Sequence, residues 1–362
     1  TPFLVIGQEI ELETNSRLVL GESKDKSASI SAGDIDNDGD IDVIVANGRH
    51  WSQPNKVFFN NGYGIFTVSK LLDNISETSY ATELADFDGD GDLDIAVGND
   101  MAPNSIYLND GNGDFIKLGH FGNLYSPTRN LKTTDIDSDG DIDILITNRG
   151  KENEICLNNG KGLFTKIIKF GSKEDSTIDV DVVDINKDGH KDLILANRDG
   201  QQNFIYLNDG KLNFTNKIPF GSGTDETRSV GVIDIDNDGY LDIITANIHE
   251  PNVIYFGSKE MNYKRKIVFD SAHNDSYSLD FGDIDGNGSV DIVVANSGEP
   301  NQVFLNFENG SFWKKISLRN ENLLTYDIIL VDLNNDNRLD IIESNSDDIN
   351  YYYRNKLKTK KD

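Results

Sequence analysis

Several residue types are scarce in this sequence. Of 362 residues only one is cysteine, two are tryptophan and seven are proline. The lone Cys156 excludes an intramolecular disulfide, and its place in the run Ile155-Cys156-Leu157 makes it a small buried hydrophobe. No stretch approaches the ~18 consecutive apolar residues of a membrane-crossing helix, so no membrane insertion is expected. Basic residues are short as well: 34 Lys and Arg stand against 62 Asp and Glu, a formal charge of −28. Nucleic acid is thereby excluded as a partner, because no basic surface is left to displace counterions from phosphates. A leader sequence is also absent. Because the chain opens on Thr1, it is expected to begin after a removed leader, and the absence is not read as cytosolic. Nothing in the sequence indicates an oligomeric state.

What is abundant is acid, and it is not scattered. The segment Asp34-Ile35-Asp36-Asn37-Asp38-Gly39-Asp40-Ile41-Asp42 recurs in kind at 86–94, 135–143, 184–192, 234–242, 283–291 and 332–340. The leading aspartates are 52, 49, 49, 50, 49 and 49 residues apart, a period that marks a repeat architecture. Each copy follows a short alternating run such as Ser29-Ile30-Ser31-Ala32. A β-branched run comes next, as in Val43-Ile44-Val45-Ala46, and then a third run such as Val57-Phe58-Phe59-Asn60. Turn dipeptides (Asn61-Gly62, Asp110-Gly111, Asn159-Gly160, Asp209-Gly210) precede a fourth run, for example Phe164–Ile168. Four antiparallel strands per repeat of about 50 residues make a propeller blade. The expectation is an all-β, single-domain, seven-bladed β-propeller over residues 1–362. The last repeat ends in a Lys-rich tail without a good fourth strand. Residues 16–20, with Arg17-Leu18-Val19-Leu20, carry the fourth-strand pattern and are expected to close the last blade. Residues 1–14 have no assigned place.

Alternating carboxylates on a tight turn suit a hard divalent cation that takes oxygen ligands at a flexible radius. Up to seven structural Ca²⁺ ions are expected, and seven would bring the formal charge from −28 to −14. The candidate ligands are Asp34, Asp36, Asp38, Asp40 and Asp42 in the first loop, and Asp86, Asp88, Asp90, Asp92 and Asp94 in the second. Asp135, Asp137, Asp139, Asp141 and Asp143 follow, then Asp184, Asn186, Asp188, His190 and Asp192. The fifth and sixth sets are Asp234, Asp236, Asp238, Tyr240 and Asp242, and Asp283, Asp285, Asn287, Ser289 and Asp291. The last is Asp332, Asn334, Asp336, Arg338 and Asp340. The seventh position of each loop is expected to act through its backbone carbonyl. An EF-hand fails, because its twelfth-position Glu is replaced by Val45, Val97, Ile146, Leu195, Thr245 and Val294, with an acid only at Glu343.

The Asp-x-Asp-x-Asp-Gly-x-x-Asp loop between the first two strands of each blade resembles the FG-GAP/VCBS repeat of integrin α-subunit propellers, fungal propeller lectins and many secreted bacterial proteins. The resemblance covers nearly the whole chain. It implies calcium-stabilised blades and a secreted, periplasmic or cell-surface location, with ligands on the face opposite the loops. Asn186, Asn334 and Asn287 depart from the motif, and Asn337 takes the glycine position, so the last site should be weakest.

The opposite face is uneven. Gly48-Arg49-His50-Trp51 lies in the first blade, Tyr80, Glu83 and Asp100 in the second, and Tyr125, Arg129 and Arg149 in the third. Arg198, Arg228, His249, Tyr277 and Tyr326 continue around the ring. Five of ten arginines on one face of an acidic protein suggest a mouth that recognises carboxylate or sulfate, and the aromatics offer stacking surfaces for sugar rings. Deeper in the channel, Ser31, Glu83, Lys132, Asp181, Gly231, Asp280 and Ile329 share one phase, with Lys132 placed for an ion triad with Glu83 and Asp181. Two functions are compatible. One is a carbohydrate-active enzyme, lyase-like, acting on acidic polysaccharide with His50, Tyr80 and Arg129 as catalytic residues. The other is a non-catalytic lectin or adhesion propeller. In both, the partner is an acidic glycan or other anionic ligand.

Overall fold

The computed structural model describes residues 9–307, 310 and 312–357, and among them are 28 β-strands and no helix. The β-branched run after each aspartate loop forms the second strand of its unit. Asp42–Asn47, Asp94–Asn99, Asp143–Asn148, Asp192–Asn197, Asp242–Asn247 and Asp291–Asn296 are buried at every position. A strand that is apolar on both faces needs a neighbour on both faces. Adjacent sheets supply it, while outer strands such as Val68–Leu71 stay exposed.

The strands form five antiparallel sheets of four and one of eight. In the eight-stranded sheet only two residue pairs, Asp25–Asp348 and Lys26–Ser346, join the first and last repeats. Apolar clusters fill the spaces between successive repeats. Phe87, Ile106 and Phe121 meet Leu131, Ile144, Cys156 and Phe164, and Ile30, Val43 and Phe58 meet Leu333, Ile342 and Tyr352 of the last repeat. Each large side chain so buried contributes about 1.5–3 kcal/mol.

Polar ties repeat with the same period. Asn109 Nδ2 donates to the Ile35 carbonyl of the preceding repeat at 2.7 Å, and Asn60 does the same to Leu333 at 2.8 Å. At the other end, Asn55 Nδ2 donates to Ser79 Oγ at 3.0 Å, and Ser79 Oγ to Asn99 Oδ1 at 2.9 Å. The same relay crosses from last repeat to first through Asn350, Ser27 and Asn47, at 3.0 and 2.9 Å.

The first strands of successive repeats contact one another in order, and Leu324–Val331 of the last contacts Asp25–Gly33 of the first. All seven line one central cavity of about 250 Å³. Their edges would carry unpaired N–H groups, and channel carboxylates take them up. Asp179 accepts from Val230, Asp181 from Val232, Asp280 from Leu330 and Asp327 from Ile30, at 2.7–3.0 Å. Of the expected triad only one side is in direct contact: Lys132 Nζ lies 3.3 Å from Asp181, while its charge acts on Glu83 without an ion-pair contact. Glu83 takes a long 3.5 Å bond from Thr133, and burial pushes it up to about 7.

Closure of the last repeat differs from expectation. The strand beside Tyr352–Leu357 is Ile10–Glu13, whose register runs from Ile10–Leu357 to Glu13–Arg354. Residues 16–20 contribute one bridge, Val19–Tyr351, flanked by hydrogen bonds from Leu20 N to Asn350 O and from Tyr352 N to Leu18 O. Their apolar alternation arises because Leu18 and Leu20 fill the cluster between last and first repeats. Lys356, expected in the tail, pairs with Glu11. Deleting residues 1–20 is expected to destabilise by about 5 kcal/mol from lost apolar burial and to cause association through the bared edge. Denaturant midpoints and sedimentation check this; a monomeric, equally stable truncation would overturn it.

Candidate functional sites

In the aspartate loops the leading carboxylate organises the turn. Asp34 Oδ2 accepts from Gly39 N at 3.1 Å, and Asp184 accepts from Asp188 and Gly189 at 3.0 and 2.8 Å. Gly39 has φ 93°, which glycine adopts without the Cβ penalty. The closing aspartate is buried in every loop and ties the loop to the third strand. Asp42 accepts from Ile35 N at 3.2 Å and Asn60 N at 2.8 Å, and Asp94 likewise from Phe87 and Asn109 at 2.9 Å each. Burial pushes Asp42 and Asp291 up to about 7 and Asp94 to about 6, against the lowering effect of those bonds.

Five loops bring three carboxylates within 4.8 Å: Asp34, Asp36 and Asp42; Asp86, Asp88 and Asp90; Asp135, Asp137 and Asp143; Asp234, Asp236 and Asp242; Asp283, Asp285 and Asp291. Asp38, Asp139 and Asp238 stand outside these triplets. Asp40, Asp92, Asp141 and His190 turn outward against the hairpin glycines Gly62, Gly111, Gly160 and Gly210, which leaves their backbone carbonyls for a ligand. A divalent cation fits, because Asp34 Oδ1, Asp36 Oδ1, Asp236 Oδ1 and Asp285 Oδ2 are buried and accept no hydrogen bond. The loops at 184–192 and 332–340 form no such triplet among the described residues. Asn186 turns its amide to Asp188 at 2.9 Å, and Arg338 ion-pairs with Asp336. Asp86→Ala is therefore expected to lower the cation-loaded melting temperature several times more than Asp332→Ala. Equal losses would refute this ranking.

The opposite end of the channel is shaped by a repeated backbone irregularity. Each first strand shifts register just after the Ser or Thr of that relay, for example between Ser79 and Ala81, Thr128 and Asn130, and Thr227 and Ser229. A bulge re-aims the extra side chain. The extra residues are Ala28, Tyr80, Arg129, Ile178, Arg228, Tyr277 and Tyr326. All stand six places before a leading aspartate and one after a Ser or Thr. That phase was the sequence signal for the mouth, and loop-by-loop reading passed over it. Tyr80, Arg129, Arg228, Tyr277 and Tyr326 line a narrow cavity of about 50 Å³ together with Asp179 and Asp327.

Arg49 reaches this ring from its loop. Gly48 and Arg49 donate to the Lys26 carbonyl, and Trp51 N donates to Gly48 O at 3.0 Å. A Cβ at Gly48 would meet Glu77 O at 2.2 Å, so only glycine allows the approach. His50 stands in the left-handed region at φ 66°, a conformation that clusters at functional sites. The Arg49 Cζ lies 3.3 Å from the Tyr326 ring centre, 5.0 Å from Tyr277 and 5.9 Å from Tyr80. Its Nε and Nη1 are buried without a hydrogen-bond partner. Arg228 lies 5.2 Å from Tyr277, and burial, with Arg49 next, pushes it down to about 10. Tyr80 Oη is 3.1 Å from His50 Nδ1, and Arg129 stacks 4.6 Å from the Tyr80 ring. Burial and the charges of Arg49 and Arg129 hold His50 below its usual range.

The structure thus gathers Arg49, His50, Tyr80, Asp100, Arg129, Arg228 and Tyr277, and it separates the other predicted contacts. Asp100 ion-pairs with Arg129 at 2.8 Å. Arg149 forks onto Asp199 at 3.0 and 2.7 Å, Arg198 faces Glu226 at 3.6 Å, and His249 meets Asp275 at 2.7 Å. Trp51 and Tyr125 are 70% and 60% exposed on the rim. Glu83 lies in the larger cavity below.

A profile described as FG-GAP-like repeat matches residues 34–97, 86–133, 135–195, 184–245, 234–294 and 283–343. No curated protein matches the sequence. Among solved structures, the chain is similar to BBS1N in its mercury-soaked complex with ARL6DN, with a TM-score of 0.62, 10% identity and 98% of each chain covered. It is similar to the WD40 β-propeller domain of Doa1 at a TM-score of 0.61 and 14% identity, covering 97% of this chain and 98% of that one. Chaetomium thermophilum Raptor gives 0.61 at 12% identity, over 94% of this chain and 29% of its own. At these identities the likeness concerns the β-propeller fold.

Proposed function

The chain belongs to the FG-GAP-like repeat family, and from that premise we propose that it is an extracellular, calcium-stabilised binding propeller that holds an anionic ligand at its channel mouth. Secretion to the periplasm or cell surface accords with the family and with the millimolar calcium that weak loop sites need. Seven blades in a closed ring are supported by the Asn–Ser/Thr relay and the Asp327–Ile30 bond, which cross from last repeat to first as they do elsewhere. Calcium is the cation that suits loops of carboxylate and carbonyl oxygens, and the five carboxylate triplets are its strongest sites.

One observation carries the ligand: Arg49 keeps two buried, unpartnered nitrogens beside the half-buried guanidinium of Arg228. Buried donors without acceptors are costly, and an acid group of a ligand would satisfy them. Tyr277 and Tyr326 beside Arg49 suit a sugar, so an acidic glycan is the favoured partner. A panel of neutral and acidic glycans tests this; binding indifferent to charge would refute it.

The contact between His50 and Tyr80 favours an enzymatic reading of the same site. A neutral imidazole beside a phenol could remove the C5 proton of a uronate and protonate the leaving oxygen, while arginine neutralises the carboxylate. His50→Ala separates the readings. An enzyme is expected to lose at least 100-fold in turnover, followed by the absorbance of unsaturated uronate products, with binding nearly unchanged. A binding protein shows no such product in either form. BBS1N is described in complex with ARL6DN, so capture of a protein is the non-catalytic alternative.

A further inference from the structure

We infer that the mouth accepts one small carboxylate, inserted end-on along the channel axis from a ligand that bears a single acid group at its end, and not a polyanionic chain laid across the face. This rests on the anionic-ligand reading above.

The first support is the distribution of cations. Arg129 and Arg149 are held by Asp100 and Asp199 at 2.8 and 2.7 Å, and Arg198 faces Glu226 at 3.6 Å, an ion pair without a hydrogen bond. Lys26 on the same rim is held by Asp347 at 2.6 Å. Among these groups only Arg49 and Arg228 pair with no carboxylate, and both flank the Tyr277 ring, at 5.0 and 5.2 Å. They form one cationic centre inside a rim where Arg129, Arg149, Arg198 and Lys26 face carboxylates and Lys151 donates to the Tyr125 carbonyl at 3.1 Å. A polyanion would find one buried point of attachment and would meet the field of a chain that stays net negative even with seven Ca²⁺ bound.

The second support is size. The cavity between Tyr80, Arg129, Arg228, Tyr277 and Tyr326 measures about 50 Å³. At roughly 10–15 Å³ per water-sized group, it has room for about three to five heavy atoms. A carboxylate fits there and a pyranose ring does not, so the ring must remain outside, where Trp51 is exposed. Asp179 and Asp327 line the floor of the same cavity, which limits how far an anion can descend and favours a short group over a longer acidic arm.

The test is calorimetric titration of the full chain, in calcium, with glucuronate, glucose, glucose 6-sulfate and a polyuronate, repeated over a range of salt. Glucuronate is expected to bind and glucose not, with an affinity that weakens only mildly with salt, because a monoanion has no condensed counterions to release. The polyuronate is expected to gain less than 10-fold over the monomer. Arg49→Gln and Arg228→Gln should each weaken glucuronate at least 10-fold, Arg228→Lys should recover part of it, and Arg149→Gln should change nothing. Melting temperatures confirm that each variant is folded. A polyuronate that binds 100-fold tighter with a slope of log K against log salt steeper than about −3 overturns end-on recognition while leaving the anion site intact. Preference for the sulfate ester overturns the carboxylate assignment. Failure of every anion to bind removes the parent reading along with this one.

Discussion

Excess chelator is expected to lower the melting temperature by roughly 15–20 °C. A site filled at 100 times its dissociation constant adds about 2.7 kcal/mol to stability, because the unfolded chain does not bind. The five triplet loops together supply on the order of 13 kcal/mol on that basis. An unfolding entropy of about 2.1 cal/mol/K per residue over 362 residues converts this to the stated shift. Magnesium should restore little, since it demands tighter octahedral geometry and dehydrates reluctantly. A differential scanning calorimetry trace unchanged by chelator would remove the structural role of calcium. The expectation follows from geometry as well as motif: carboxylates crowded within 4.8 Å repel unless protonated or bridged.

Arg49→Ala is expected to cost about 1.5–3 kcal/mol of affinity for an acidic ligand, the worth of a desolvated hydrogen bond to a charged group. Arg129→Ala should cost clearly less. Both arginines stand at the mouth, but Arg129 is already committed to Asp100 and to the Thr128 carbonyl, whereas Arg49 has Nε and Nη1 free of protein acceptors. The comparison is made by titration at one salt concentration, because an exposed contact would be screened. If Arg129 proved the larger loss, the ion pair with Asp100 would have to open on binding, and the ranking of the two would be reversed.

The sequence by itself determined the repeat, its four-strand content and the place of the aspartate loops. Each unit depends on residues close along the chain: the alternation around Ile30, the β-branched run after Asp42 and the turn glycine at Gly39, repeated at a near-constant period. Such features are local, and local backbone preferences act before any packing. The tertiary structure decided what depends on distant partners. The closing strand was misread at 16–20 because Leu18 and Leu20 alternate in order to fill a space between first and last repeats. The pattern alone does not tell a packed strap from a hydrogen-bonded strand such as Ile10–Glu13. The mouth was legible as a set of Arg, Tyr and His residues but not as a ring. A one-residue bulge in each first strand re-aims the residue six places before the leading aspartate, and all of these except Ile178 line the mouth cavity. Which arginines remain free was beyond the sequence altogether. Arg149 and Arg49 look alike in their loops, yet Asp199 lies across from one and the Tyr326 ring beneath the other. Pairing of charges is settled by atoms that lie far apart in the chain and meet only when the blades pack.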